Sequence, residues 1–289
     1  MTKEEIAQRK AEARFLRAYY YWLLIRKYGP VPLMPEEGID YTLPYEDLAI
    51  PRSHYDECVD FITKELATAA LDLPLNRDNR NVVRPTKGAA LAARAKVYLY
   101  AASPLFNGNT EMADLVDHEG RTLIAQTYDE SKWARAAAAA KDVIDLGVYR
   151  LYTAPFNDTD QGPAQPKTIV PPYHPVYSEA NFPNGWKDID PFESYRQLFN
   201  GALQLAANPE IIFTRGTETS GVGLEALAKH QAPLSLGGWN AHGITQKQCD
   251  AYYMNDGSDV PTNPRVSGFT TNDTDYPPLP AGVSLQYAN

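Results

Sequence analysis

The chain has 289 residues, 44% hydrophobic and 22% charged: enough apolar material for one large domain or two small ones, and not the composition of a disordered polyelectrolyte. Its 27 basic and 36 acidic residues leave a net charge of −9, which disfavours general nucleic-acid binding. No apolar run reaches the ~18 residues of a membrane span, the charged start Met1–Glu5 lacks the apolar core of a secretory signal, and Cys58 with Cys249 cannot build a disulfide framework.

Taken in chain order, the first long element is a helix over 4–28. Ala11, Phe15, Ala18, Trp22 and Ile25 recur at three- and four-residue intervals, with Leu16, Tyr19 and Leu23 widening the stripe, and Gly29-Pro30 stops it. Ser53 is the expected cap of a second helix over 54–72, with Asp56 and Glu57 in its first turn. Thr86 caps a third over 87–102, whose alanine-rich centre has high helix propensity. A fourth spans 130–146, carries alanines at 134 and 136–140, and ends where Gly147 supplies the C-terminal glycine. Small residues let helix backbones approach closely. Pairing them with Tyr98, Tyr100 and Trp133 predicts a mostly α fold of tetratricopeptide-like antiparallel helix pairs; no strict repeat period is present, and a generic helical bundle would need none. Ala93 and Ala137 are expected to be tightly packed, and Trp22 and Trp133 to be core.

Beyond Leu151 the composition changes. Eight prolines fall between Pro155 and Pro191 amid Asn, Asp and Gly, which predicts a long irregular region with few short strands. A helix is expected over 192–206, a short buried strand over 210–215, and short helices over 224–230 and 246–254. The chain thus reads as part of a single domain, 1–289, with a helical scaffold over 1–150 and a loop-rich portion over 151–289.

Catalytic and cofactor motifs are sparse. Gly221-Val222-Gly223-Leu224-Glu225-Ala226 fits G-x-G-x-x-A, but the strand a dinucleotide fold needs does not directly precede it, so the segment reads as a loop. No G-x-S-x-G elbow occurs, the five histidines lack metal-ligand spacing, and no cofactor is implied. His54 and His230 read as structural, and Cys58 and Cys249 as buried thiols. Asp188, Asp190 and Glu193 near Trp186 form an acidic cluster that a glycosidase pair or a Ca²⁺ site could use, or that could simply start a helix.

Two aromatic tracts stand out. Residues 174–186 place His174, Tyr177, Phe182 and Trp186 in a Pro/Asn/Gly-rich segment, and Gly237-Gly238-Trp239-Asn240-Ala241-His242 repeats that chemistry. Sugars stack their C–H faces on such rings while Asn and Asp grip hydroxyls; equally, the rings could pin loops onto helices. The candidate ligand-binding residues are Trp186 and Trp239, with Tyr177, Phe182 and His242 as secondary ones.

Five ordered blocks carry a family resemblance: Glu12-Ala13-Arg14-Phe15-Leu16-Arg17-Ala18-Tyr19-Tyr20 closed by Tyr28-Gly29-Pro30-Val31-Pro32-Leu33; Arg84-Pro85-Thr86-Lys87-Gly88-Ala89-Ala90 with the helix after it; Trp133 to Tyr149; Asn208-Pro209-Glu210-Ile211-Ile212-Phe213; and Asp250-Ala251-Tyr252-Tyr253-Met254-Asn255-Asp256-Gly257. Together they resemble the SusD/RagB outer-membrane nutrient-binding lipoproteins. The resemblance implies a tetratricopeptide-like scaffold and a cell-surface protein that captures oligosaccharide. It also implies a lipid anchor outside this chain and a SusC-like TonB-dependent transporter as partner, and it transfers no catalytic residues. Relative to that family the chain reads as an internal fragment. A glycoside hydrolase on a helical scaffold and a tetratricopeptide-type peptide-binding adaptor are the alternatives, separated from it by hydrolysis of oligosaccharides and by peptide binding in a groove.

Overall fold

The computed structural model describes residues 1–78, 80–162, 165–199, 203, 208–214, 229–239 and 241–243. The helices are α1 (Lys3–Tyr28), the single turn α2 (Tyr45–Leu48), α3 (Tyr55–Asp72), α4 (Lys87–Ala102), α5 (Ser131–Asp145) and the short α6 (Pro191–Arg196). The four long ones fall where the apolar periodicity put them, to within one residue at each end. The strands among the described residues are β1 (Ala154–Pro155) and β2 (Ile189–Asp190), which pair in a two-stranded sheet. The protein is therefore mostly α, and α1 with α3, α3 with α4 and α4 with α5 pack successively as tetratricopeptide-like antiparallel pairs.

Local chemistry fixes the helix ends. Thr2 Oγ1 accepts the Glu5 N–H at 3.1 Å while the Glu5 carboxylate accepts the Thr2 N–H at 2.6 Å, a reciprocal cap on α1. At the other end Gly29 adopts φ +67, a conformation that a Cβ disfavours. His54, not Ser53, caps α3: its Nδ1 accepts the Asp56 N–H and Glu57 accepts the His54 N–H. Ser53 instead donates its own N–H to Val31 O at 3.1 Å, tying the chain before α3 to the end of α1. Thr86 caps α4 as expected, through the Ala89 N–H.

The core lies between α1, α3 and α4. Ala11, Phe15, Ala18, Trp22 and Ile25 are all buried, and they meet Tyr55, Cys58, Ile62, Leu66, Ala69, Ala89, Ala90 and Val97. Leu16 does not widen this stripe and is exposed. Its place is taken by Tyr21, whose hydroxyl accepts the Met34 N–H at 2.9 Å. Cys58 is buried as expected, and burial, the larger influence, pushes its thiol pKa up. Tyr55 stacks on Phe106, centroids 3.9 Å apart and nearly parallel, which draws the segment after α4 onto the start of α3.

Helix α5 departs from expectation. Its backbone packs along α4, and its buried face is narrow: Lys132, Ala136 and Ala139. Ala137 is exposed, one position off that face, and Trp133 is 40% exposed rather than core. The Lys132 stem fills the core position, and its ammonium reaches Asp56 at 2.7 and 2.9 Å and the Phe106 carbonyl at 3.3 Å. Ala93 packs against the core but is only half-buried, less tightly enclosed than expected. Enlarging Ala136 or Ala139 to Leu is expected to cost about 1–3 kcal/mol by overpacking, with Ala137→Leu close to neutral. Urea unfolding of the three variants checks this; equal losses at all three would mean that α5 sits in another rotation.

The chain divides into two compact units. One comprises Met1–Ala154 and Glu193–Gly216, the other Pro155–Phe192 and Thr217–Asn289. Within the first, the expected strand at 210–215 is absent over the described residues 210–214. Asn208 Oδ1 accepts the Glu210 N–H, the Glu210 carboxylate accepts the Tyr152 N–H at 2.8 Å, and Phe213 packs edge-on against Phe15 and Tyr19. These anchors hold an irregular segment where strand pairing would need a neighbour. The helix expected over 192–206 is realised as the shorter α6, followed by turns at 197–199. Of the helix expected at 224–230, residues 229 and 230 are described and are helical. The remainder of it, the glycine motif at 221–226, the helix at 246–254 and Cys249 lie outside the described residues.

Candidate functional site

The second unit holds the aromatic tracts. Residues 174–188 fold back on themselves through backbone bonds: Trp186 N–H to Tyr177 O at 2.9 Å, Lys187 N–H to Ala180 O at 3.1 Å, and Gly185 N–H to Asn181 O at 3.1 Å. Asp188 Oδ1 accepts the Phe182 N–H at 2.8 Å, and His174 Nδ1 lies within reach of the Val176 and Tyr177 N–H groups at 3.2 and 3.3 Å. The fold-back brings three rings together. His174 stacks on Tyr177 with centroids 4.4 Å apart, and Trp186 lies 5.5 Å from Tyr177. Phe182 belongs to the same loop but stands outside this ring stack.

Gly185 makes the turn possible. A Cβ there would collide with the carbonyl oxygens of Tyr177 and Ala180. Gly185→Ala is therefore expected to open the loop and cost about 1–3 kcal/mol. Gly243→Ala is the control, because a Cβ there meets nothing within 4 Å. Amide exchange at Trp186 and Lys187 reports the difference: their protection falls in the first variant and is kept in the second.

Trp186 also walls a cleft of about 180 Å³ with Phe156, Thr168, Val170, Pro171, Tyr173, Ser178, Lys187 and Ile189. Its far wall is built by a second set of bonds. Asn157 N–H donates to Thr168 Oγ1 and Thr168 N–H to Asn157 O, while Phe156 N–H donates to Asp188 O. Tyr173 is 73% exposed, so its ring face is open to a ligand, whereas Thr168 is buried. A concave patch with exposed rings and a few polar groups is the arrangement that sugar and other small-molecule sites use.

Of the five sequence candidates, Tyr177 and Trp186 come together and Trp186 lines the cleft. Trp239 and His242 form a separate cluster through His230, whose ring lies 4.8 Å from Trp239 and 5.3 Å from His242. Trp239 is 54% exposed and His242 is exposed. Phe156, Thr168, Tyr173, Ser178 and Lys187 escaped the sequence reading. Their approach to Trp186 depends on pairings such as Phe156 to Asp188, which no local spacing encodes.

The acidic cluster has structural employment. Asp188 holds the Phe182 N–H, and Asp190 is buried. Glu193 takes the Arg196 guanidinium at 2.8 Å through both oxygens; that hydrogen bonding, with Gln197 as a further donor, outweighs burial and holds its carboxyl below the usual range. No metal-ligating cluster is present among the described residues. None of their helices is long and apolar enough to cross a membrane.

Residues 1–99 match the SusD-like family described as "Starch-binding associating with outer membrane". No match is found among curated protein sequences. Among solved structures the chain is similar to BT4246, with 29% identity and a TM-score of 0.59, over 81% of this chain and 38% of that one. It is similar in fold to two SusD-like proteins from Bacteroides fragilis NCTC 9343. One is BF3747, at 23% identity and TM-score 0.55, over 90% of this chain and 38% of that one. The other is BF0978, described as a SusD-like carbohydrate-binding protein, at 19% identity and TM-score 0.51, over 92% and 38%. The chain thus spans under half the length of the solved structures it matches. The expected likeness to SusD-like proteins is found in the sequence of residues 1–99 and in the fold.

Proposed function

We propose that this chain is part of a cell-surface glycan-binding protein that captures oligosaccharide without turning it over and passes it to a SusC-like TonB-dependent transporter in the outer membrane. The observation that carries the reading is the aromatic cleft at Trp186, in a chain whose first 99 residues match a family described by starch binding and outer-membrane association. The helical unit serves as scaffold, and the loop unit carries the contact to sugar, with Trp186 and Tyr173 as stacking platforms. The Trp239–His230–His242 cluster offers a second ring surface of the same chemistry. Attachment to the outer membrane through a lipid anchor, and the transporter partner, are what the family resemblance implies.

The test is a glycan array on the pure chain, followed by incubation with the captured glycan and an assay for new reducing ends. Capture without release supports the reading. Sustained release that disappears in Asp188→Asn or Glu193→Gln would replace it with a hydrolase.

A further inference from the structure

The cleft at Trp186 is unbalanced in its hydrogen-bonding groups. Among its lining residues there is no carboxylate, carboxamide or imidazole. The polar side chains are the hydroxyls of Thr168, Ser178 and Tyr173, the indole N–H of Trp186 and the ammonium of Lys187. Two of those hydroxyls already serve as acceptors: Thr168 Oγ1 takes the Asn157 N–H at 2.9 Å and Ser178 Oγ takes the His174 N–H at 2.9 Å. Each of these two keeps its proton and one further lone pair, while indole and ammonium are donors only, so donors outnumber acceptors along this wall. A neutral sugar hydroxyl needs an acceptor for its own proton as well as a donor. A carboxylate or sulfate brings acceptor oxygens alone and meets this wall fully.

The charge near the cleft agrees. Lys187 is its one charged lining residue. Glu179 stands 3.9 Å from its ammonium, with both side chains more than half exposed, so the pair is loose and easily displaced. The neighbouring Asp188 is engaged by the Phe182 N–H.

We infer that the cleft is selective for acidic glycans, with Trp186 stacking the sugar ring and Lys187 taking an anionic substituent, either a uronate carboxylate or a sulfate ester. The inference rests on the glycan-binding reading given above. The chain's net charge of −9 opposes anionic ligands at long range, so the preference is local and is strongest for a substituent seated at Lys187.

Isothermal titration of the chain with galacturonate oligosaccharides, their methyl esters and a sulfated galactan oligosaccharide tests it. The ester keeps the ring and removes the charge. The acid is expected to bind about tenfold more tightly than the ester, the order of one charge-assisted contact. Lys187→Gln should erase that preference, bringing the affinity for the acid down to that for the ester. Glu179→Gln should strengthen acid binding about twofold to threefold by freeing the ammonium, a gain that misfolding cannot imitate. Tight binding of the sulfated ligand in place of the galacturonate would support the same site with sulfate as its anion. Equal affinity for acid and ester, with both lost in Trp186→Ala, overturns the charge selectivity and leaves the glycan cleft standing. Binding that persists in Trp186→Ala overturns the cleft and the selectivity together.

Discussion

Glu12→Ala is expected to cost about 3–5 kcal/mol, the usual result of leaving a buried charge without its partner. Glu12 lies on α1 with its side chain 12% exposed and collects guanidinium groups from across the unit. Its Oε1 accepts from Arg77 and Arg84 at 2.5 Å each, Oε2 accepts from Arg84 at 2.6 Å, and Arg9 approaches at 3.5 Å. Arg77 is the sensitive member. It is only 9% exposed, and desolvation, stronger than the pull of Glu12, draws its pKa below the ordinary value. A guanidinium does not deprotonate at accessible pH, so without Glu12 it stays buried and charged. The Pro85 carbonyl, at 3.0 Å from Nη2, remains its partner but carries no countercharge. Replacing both residues, Glu12→Met with Arg77→Met, removes the stranded charge and is expected to recover most of the loss. Urea unfolding of the single and double variants measures it. A single variant within 1 kcal/mol of the parent, on the scale of exposed pairs, would show the cluster to be solvated.

The second large effect is expected at Trp22. It is 2% exposed, and its ring meets Tyr100 of α4 edge-on, with centroids 4.9 Å apart and planes at 85°. The Arg26 guanidinium stands 5.5 Å from the same ring. Helices α1 and α4 make only a brief contact, and this ring pair is part of what joins them. Trp22→Ala should therefore cost about 3–5 kcal/mol through lost burial and the cavity left behind. Tyr100→Ala, on a residue 38% exposed, should cost nearer the ~0.5–1.5 kcal/mol of the ring pair alone. Whole-domain stabilities are ~5–15 kcal/mol, so Trp22→Ala approaches the unfolding threshold by itself. Thermal melts settle the ranking; equal losses in the two variants would contradict it.

The scaffold was legible because its information is local. The stripe from Ala11 to Ile25, the Thr86 cap and Gly147 each declare themselves within a few residues, and the helices follow. The errors have local causes too. Ser53 is a better intrinsic cap than His54, but Val31 claims its backbone. On α5 an alanine run offers no way to choose a buried face, and a lysine takes a core position because Asp56 waits for it. The Glu12 cluster could not be read at all, since Arg77 and Arg84 come from a distant loop. In the loop unit composition singled out a tract whose Tyr177 and Trp186 rings do meet. The cleft itself is made by residues 156–173 reaching 186–189 through non-local backbone pairing, which leaves no period in the sequence.

If sugar is held by rings of the loop unit and not by rings of the helices, Trp186 carries the contact and Trp133 does not. Calorimetry on Trp186→Ala and Trp133→Ala, with a glycan identified by array, tests it most directly, because both indoles are partly accessible and only one lines the cleft. A stacking platform is worth ~1–3 kcal/mol, so Trp186→Ala should weaken binding about tenfold or more at an unchanged melting temperature, and Trp133→Ala should bind as the parent does. Parental affinity in Trp186→Ala, or a loss confined to Trp133→Ala, would contradict the account.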